Sequence, residues 1–476
     1  MPSKPSLELF HKAARELPAY KQFLSDNGVD AATIKQSNDL LRVPITSKKT
    51  YLVPNRLEDL VWKNSLENLM IFCATSGSTG EPYYFPRSES LSEQYSHTIE
   101  NYLRYSSYGK GRTLVILGFG MGIWIGGIIT YRAFQMAAQN MGAPVSILPT
   151  GYNKVEIFKA LRKLAPSFDQ TIIVGYPPFV KQLVDEAAGE GVDLKKLHVR
   201  LFFAAEAFTE TFRNYLCEQA GVQNPLLDTM NIYGSADIGA MAYETPLSIL
   251  IRRLAIEDPL LYRELFGQIE KTPTLAQFNP DFIEFEEVDG ELLLTGDSAM
   301  PLIRYAIGDH GGVLHYDHIA NLMAKYGINL DAEISKTKLL KHINKNHPFV
   351  FVYERADLSV TLHGLNIYPE FIKEALIKPS LVRYFTERFT MATKTDIHHN
   401  QFLLINIELR PGVGVTAQIA EKALRAIRKS LIEKSSEFAE VSKSKMSEEL
   451  IKIELWPNGH PRYFAPGTKQ KWVEKS

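Results

Sequence analysis

Between about residue 68 and residue 235, short apolar runs alternate with amphipathic stretches long enough to be helices, and few folds can absorb that rhythm. "LVIL" is followed by a glycine loop and a helical stretch, and "VSILP" by "NKVEIFKALRKLA". "TIIVGYP" precedes "PPFVKQLVDEAAGEG", and "VRLFFAAEA" precedes "TETFRNYLCEQAG", where Gly221 has the place of a helix C-cap. Pro177 and Pro178 sit where the first helical turn tolerates proline. Runs that are apolar throughout, rather than at every second position, belong to strands covered on both faces. The pattern therefore predicts parallel strands joined by crossover helices. Ligands of such sheets lie beyond the carboxyl ends of the strands, so the loops after "TIIV", "LFFA" and "MNIY" are the first candidates for a site.

"TLVILGFGMGIWIGGIITY", Thr113 to Tyr131, carries no charge and is about long enough to cross a bilayer. Gly118, Gly120, Gly122, Gly126 and Gly127 argue against one continuous helix. A buried strand from Leu114 to Leu117, a glycine loop and a helix from near Ile123 account for it better. Glycines there would also let a ligand approach the backbone.

At 476 residues the chain exceeds one ordinary core. From Glu244 to Phe285 the pattern is helical and charged. "GELLLTGDSAMPLIRYAIGDHGGVLHY" then reads as hairpin strands with polar tips, and residues 321–347 as a lysine-rich helical insertion with a solvated face. After Glu354 the order becomes strand, helix, strand, strand, helix, strand, that of a ferredoxin-like unit. The expected class is α/β: a large domain, 1–354, of mostly parallel sheets with crossover helices, and a small α+β domain, 355–476, beginning near Arg355.

The 53 Lys and Arg nearly balance the 54 Asp and Glu, which advertises neither nucleic acid nor an anionic membrane as partner. Cys73 and Cys217 are the only cysteines, too few for a disulfide framework or a cysteine metal cluster, and a reducing cytoplasm suits them. His11, Lys12 and Arg15 interrupt the N-terminal stretch where a signal peptide needs an apolar run, so a capping helix is expected there.

"CATSGSTGEPYYFP", from Cys73 to Pro86, is made largely of small and hydroxylated residues. A glycine-rich turn with exposed N–H groups is a nest for anions, and interleaved hydroxyls add donors. It lacks the Gly-Lys pair followed by Ser or Thr of the common nucleotide-binding loop. Taken alone, the same composition also describes a surface loop rich in turn formers.

In context, "TSGSTGEP" resembles the signature loop of the adenylate-forming superfamily of acyl-CoA synthetases, adenylation domains and luciferases. The whole chain is most similar to the phenylacetate-CoA ligase branch. The segments that carry the resemblance follow in order: "PAYKQF", "LLRVPITSKKTYL", "LGFGMGIWIGG", "AAEAF", "IYGSADIGAMAYE", "GELLLT", "AMPLIRYAIGD", "ERADLSVTLHGLNIYPEFIKEAL" and "PGTKQKWVEK".

The resemblance implies that a carboxylic acid reacts with ATP to give an acyl-adenylate and pyrophosphate, with coenzyme A then taking the acyl group. Thr75, Ser76, Ser78 and Thr79, with the amides of Gly77 and Gly80, would hold the β- and γ-phosphates. Tyr233 and Gly234 would meet the adenosine, Tyr233 by stacking on adenine, with Ala205, Glu206 and Ala207 flanking the base. Asp309 would accept from the ribose hydroxyls and Arg355 would reach the ribose or its phosphate. Asp237 takes the place of a Mg²⁺-binding glutamate, or bonds its own backbone as a loop carboxylate. Asp357 matches the hinge and Lys469 the acyl-transfer lysine, with Lys471 as its alternative. Met121, Ile123, Trp124, Tyr176, Phe203 and Ile232 would line an apolar acid pocket, or serve as core.

The chain departs from the pattern in places. Ala236 stands where many relatives carry a phosphate-bonding threonine, Tyr83 where the wider superfamily has a loop lysine, and His363 where an arginine is usual. Asp297 in "TGD" imitates the ribose motif, but the flanks favour Asp309. A monomer or homodimer is expected. An amine or carrier-protein thiol is the alternative acceptor, and a nucleotide-binding homologue without ligase activity the alternative to catalysis.

Overall fold

The computed structural model describes residues 3–68, 70–74, 83–122, 125–267, 272–337, 339–353, 360–376, 378, 380–442, 450–464 and 473. They form two compact units, a larger one up to Tyr353 and a smaller one from Val360 onward, with Tyr83 and Tyr176–Phe179 counted with the smaller. The expected boundary at 354–355 lies outside the described residues.

In the larger unit the apolar runs become the strands Thr113–Leu117, Val145–Leu148, Gln170–Gly175, Val199–Ala204 and Thr229–Ser235. All pair in parallel, with Thr113–Leu117 between Val145–Leu148 and Gln170–Gly175, followed by the other two in chain order. Every residue of Thr113–Leu117 and Gln170–Gly175 is buried, which is why these strands read as continuous apolar runs. The crossover helices are Ile125–Met141, Lys154–Lys163, Pro177–Glu186 and Glu210–Ala220. Asn153 caps the second by accepting from the Glu156 amide, and Thr209 caps the fourth by accepting from Phe212. That fourth helix ends on Gly221 in the left-handed region, at φ 72°. The uncharged stretch 113–131 thus divides into a strand and a helix, and no described helix is long and apolar enough to cross a membrane.

Only three residues separate Thr229–Ser235 from the strand Gly239–Tyr243, too few for a parallel crossover, so the chain reverses there and the sheet turns antiparallel. Thr274–Gln277, Phe349–Tyr353, Leu302–Leu314, Glu291–Gly296 and Ile283–Val288 follow in spatial order. Thr46–Ser47 pairs in parallel with Tyr305 and Ala306. Arg304, at φ 44°, binds this N-terminal segment through the Leu41 carbonyl at 2.9 Å and the Val43 carbonyl.

The two helical stretches that read as separate insertions share one core. Helices Pro246–Ile256, Pro259–Phe266, Tyr316–Lys325 and Leu330–Lys336 bury Ile251, Leu261, Ile319 and Ile334 together. A buried ion network ties the first of them to the parallel block: Arg213 reaches Glu244 at 2.7 Å and Glu210 at 3.1 Å, while Arg252 also bonds Glu210. Burial works against the Glu210 carboxylate, but Arg213, Arg252 and Arg253 hold it down, to about 2.

In the smaller unit, Phe385–Thr395, Gln401–Leu409 and Ile451–Trp456 form a sheet, antiparallel then parallel, with helices Pro369–Leu376 and Ala417–Lys434. The order read from sequence is present, with a short strand, Leu365–Ile367, and a short helix, Ser436–Ser442, added to it. The first short strand, Val360–Leu362, pairs with Leu365–Ile367 as its own hairpin, leaving three strands in the sheet among the described residues. The turn between them has His363 at φ 51° and Gly364 at φ 78°.

Candidate active site

Two sequence segments, "YGSAD" at 233–237 and "YAIGD" at 305–309, each carry a tyrosine four residues before an aspartate, and the fold pairs them crosswise. The Tyr233 hydroxyl donates to Asp309 Oδ2 at 2.7 Å, and the Tyr305 hydroxyl donates to Asp237 Oδ2 at 2.9 Å. Tyr233, Asp237, Tyr305 and Asp309 are all at most 9% exposed. Two carboxylates held this deep need donors, and the phenols supply one each.

The elements that place them are local devices. Tyr233 lies near the carboxyl end of the parallel block, and Asp237 in the turn that follows, its amide donating to Ser235 Oγ at 3.2 Å. Gly234 has no side chain because a Cβ there would stand 2.6 Å from the Gly239 carbonyl across the turn. Asp309 follows Gly308, whose φ of 87° belongs to an irregularity where Glu291 pairs with His310 but Leu293 pairs with Ala306. Two extra residues on one strand bulge it and re-aim the side chain. Phe285 stacks on Tyr233 at 5.9 Å between ring centres.

On the neighbouring strand end, Ala205 has φ 76°, a conformation that glycine adopts without strain. Glu206 is buried and its carbonyl accepts from Asn231 Nδ2 at 2.9 Å, which pins the 205–207 turn beside the Tyr233 strand; Ala207 is half-buried. Phe203 and Ile232 are buried, Phe203 edge-on to Phe208 at 5.0 Å, and Tyr176 is half-buried. Asp297 is exposed and accepts from the Trp62 indole at 2.8 Å, a turn residue away from this cluster.

The Ser/Gly loop is the connection of a hairpin, Ile71–Ala74 with Tyr84–Arg87. Thr75, Ser76, Gly77, Ser78, Thr79 and Gly80 lie outside the described residues, as do Ile123, Trp124, Arg355, Asp357, Lys469 and Lys471. The hairpin reaches the 235–239 turn through Arg87, whose Nη2 donates to the Ala236 carbonyl. Burial pulls the Arg87 guanidinium down from its ordinary range, while the neighbouring Cys73 and Asp237 favour its charge. Sequence reasoning singled out neither Arg87 nor Tyr305. The repeated Tyr-x-x-x-Asp spacing was the available signal for Tyr305; Arg87 had none, being brought in by the hairpin.

Among the described residues no group of three or more His, Cys, Asp or Glu could hold a metal. Asp237 keeps Oδ1 without a hydrogen bond there, since Tyr305 takes Oδ2. One hard carboxylate oxygen of this kind suits Mg²⁺, which takes one or two carboxylates and fills the rest of its shell with other oxygen ligands.

This fold is that of the adenylate-forming enzymes. A solved 2-hydroxyisobutyryl-CoA ligase, in complex with 2-HIB-AMP and CoA, superposes with a TM-score of 0.65 at 16% identity, covering 99% of this chain and 88% of that one. The phenylacetate-coenzyme A ligase of Pseudomonas putida is 22% identical over 369 residues, 76% of this chain and 71% of the relative. That of Thermus thermophilus is 25% identical over 223 residues, 47% of this chain and 46% of the relative. No family profile matches the chain. The chain therefore has the fold of the adenylate-forming ligases and is similar in sequence to phenylacetate-coenzyme A ligases.

Proposed function

We propose that the protein activates a carboxylic acid with ATP and passes the acyl group to coenzyme A. The observation that carries this reading is the crossed pair of tyrosines and aspartates, which links two buried carboxylates to each other's segments near the carboxyl end of a parallel block. In the first half-reaction a carboxylate oxygen attacks the α-phosphorus, and the bond to pyrophosphate breaks. In the second, the CoA sulfur attacks the acyl carbonyl, the thiol proton is lost, and AMP leaves.

Asp309 would take the ribose hydroxyls, with Tyr233 OH fixing its carboxylate, and adenine would stack on the Tyr233 ring. Thr75 to Gly80 would hold the β- and γ-phosphates. Asp237 would hold Mg²⁺, which when bound offsets the negative charge that a carboxylate must approach. The 205–207 turn would flank the base. The small domain, from 355, would turn about Asp357 between half-reactions, bringing Lys469 to the acyl phosphate in the first. The acid would be an aromatic or medium-sized apolar one, lying against Trp124, Tyr176, Phe203 and Ile232. A cytoplasmic setting suits the two free, buried cysteines, with a monomer or homodimer as the working form.

The test is acid-dependent exchange of labelled pyrophosphate into ATP with Mg²⁺, across aryl, aliphatic and amino acids, with Asp309→Ala and Lys469→Ala alongside. Exchange that needs both residues is expected, and mass spectrometry with CoA, amines and a carrier protein then identifies the acceptor. ATP binding without exchange for any acid would instead favour the non-catalytic reading that the absent hydroxyl at Ala236 motivates.

A further inference from the structure

Arg87 is 5% exposed, and among the described residues its one oxygen acceptor is the Ala236 carbonyl, with the buried Cys73 thiol beside it. Nη2 donates to the Ala236 carbonyl, whereas Nε and Nη1 are buried without a partner. The head group lies against the turn of the site itself: a Cβ on Gly239 would stand 3.5 Å from Nη1, and Asp237 is close enough to act on its charge. Buried Arg200 also has Nε and Nη1 without a hydrogen-bond partner, but it faces the Asp228 carboxylate at 3.2 Å. Arg213 and Arg252 both bond carboxylates directly, and Arg304 reaches Glu286 at 3.0 Å. A cation kept under a site turn, with donors unspent, is costly unless an anion arrives to face it.

We propose that Arg87 is the fixed cation of the reaction site, acting on an anionic oxygen of the reactants beside Ala236 and Asp237. The oxygen belongs to the nucleotide's α-phosphate or to the acid's carboxylate. This rests on the adenylation reading. The positive charge of Arg87 lies directly under the position where the chain has alanine, without a hydroxyl to donate. It is already stripped of water, so its field is not weakened by solvent as a surface charge would be. Through Nη2 it also holds the Ala236 carbonyl, and so the orientation of the turn that carries Asp237.

The experiment compares Arg87→Met, Arg87→Lys and Arg87→Met/Ala236→Thr with the wild type. Its readouts are pyrophosphate exchange, with KM for ATP and for the acid determined separately, ATP binding by calorimetry without acid, and the melting temperature. Arg87→Met is expected to melt no lower than the wild type, because it removes a buried charge with unspent donors, yet to lose about tenfold or more in kcat/KM. Arg87→Lys should recover part of that loss, and the added threonine part of it by supplying the missing donor. A rise confined to the KM for ATP identifies the phosphate, and one confined to the acid identifies the carboxylate. The inference is overturned if Arg87→Met exchanges like the wild type, or if activity falls only in step with melting and lysine restores neither. A wild type that neither binds ATP nor exchanges would instead bring down the adenylation reading, and Arg87 with it.

Discussion

The Tyr233 hydroxyl donates to Asp309 Oδ2 across 2.7 Å, although the residues are 76 positions apart and lie on strands that are not neighbours in the sheet. The bond holds one oxygen of a buried carboxylate and leaves the tyrosine ring beside it as a wall. On the proposed reading, recognition of a base and of a ribose would thereby become one rigid piece.

That coupling can be measured. Tyr233→Phe should cost about 1–2 kcal/mol of stability, the penalty of a buried acceptor that loses its donor. The KM for ATP should rise about tenfold, which is what a lost contribution of about 1.4 kcal/mol gives. Combined with Asp309→Ala, it should add little to the single loss, so a double-mutant cycle on exchange rates reads the pair directly. Fully additive effects would show that the two act independently.

Glu210 faces three arginines, two of them buried. Glu210→Ala leaves those charges without their shared partner and should destabilise the larger unit by about 3–5 kcal/mol, read by chemical denaturation. Because the folded carboxylate is held to about 2, its contribution is present above the ordinary carboxylate range and fades as pH falls towards 2. A stable Glu210→Ala would mean that the network is not a structural weld.

Ala205 holds φ at 76° with a Cβ in place. Ala205→Gly removes that strain against a greater freedom of the unfolded chain, and a net gain of about 0.5–1 kcal/mol is expected. Thermal melting decides it, and a loss of stability would mean that the methyl group has packing worth more than the strain.

His363 is buried, and burial pushes its imidazole down to about 4. The folded state therefore refuses a proton that the unfolded chain accepts near pH 6.5, so stability should fall between about pH 6.5 and 4, by up to about 3 kcal/mol. Asparagine tolerates the same left-handed backbone, and His363→Asn should flatten that part of the profile. Denaturant melts from pH 7 to 4.5 check it, and an identical slope in both proteins would assign the acid sensitivity elsewhere.

The sequence by itself determined the elements whose causes lie within a few residues. Apolar runs are strands because both faces are covered, Pro177 starts a helix, Thr209 and Gly221 bracket another, and Gly308 permits the bulge that aims Asp309. The signature segments likewise singled out Tyr233, Asp237 and Asp309, whose segments the structure then joins by hydrogen bonds. Tertiary structure alone decided which tyrosine serves which aspartate, that Arg87 lies beneath a turn 149 residues away, and that two helical stretches bury one common core. The short strand Val360–Leu362 instead pairs locally with the strand two residues further on, across the His363–Gly364 turn. Periodicity and capping are local and leave marks within a turn or a strand. Pairing across a sheet depends on strand order, which no window of neighbouring residues contains.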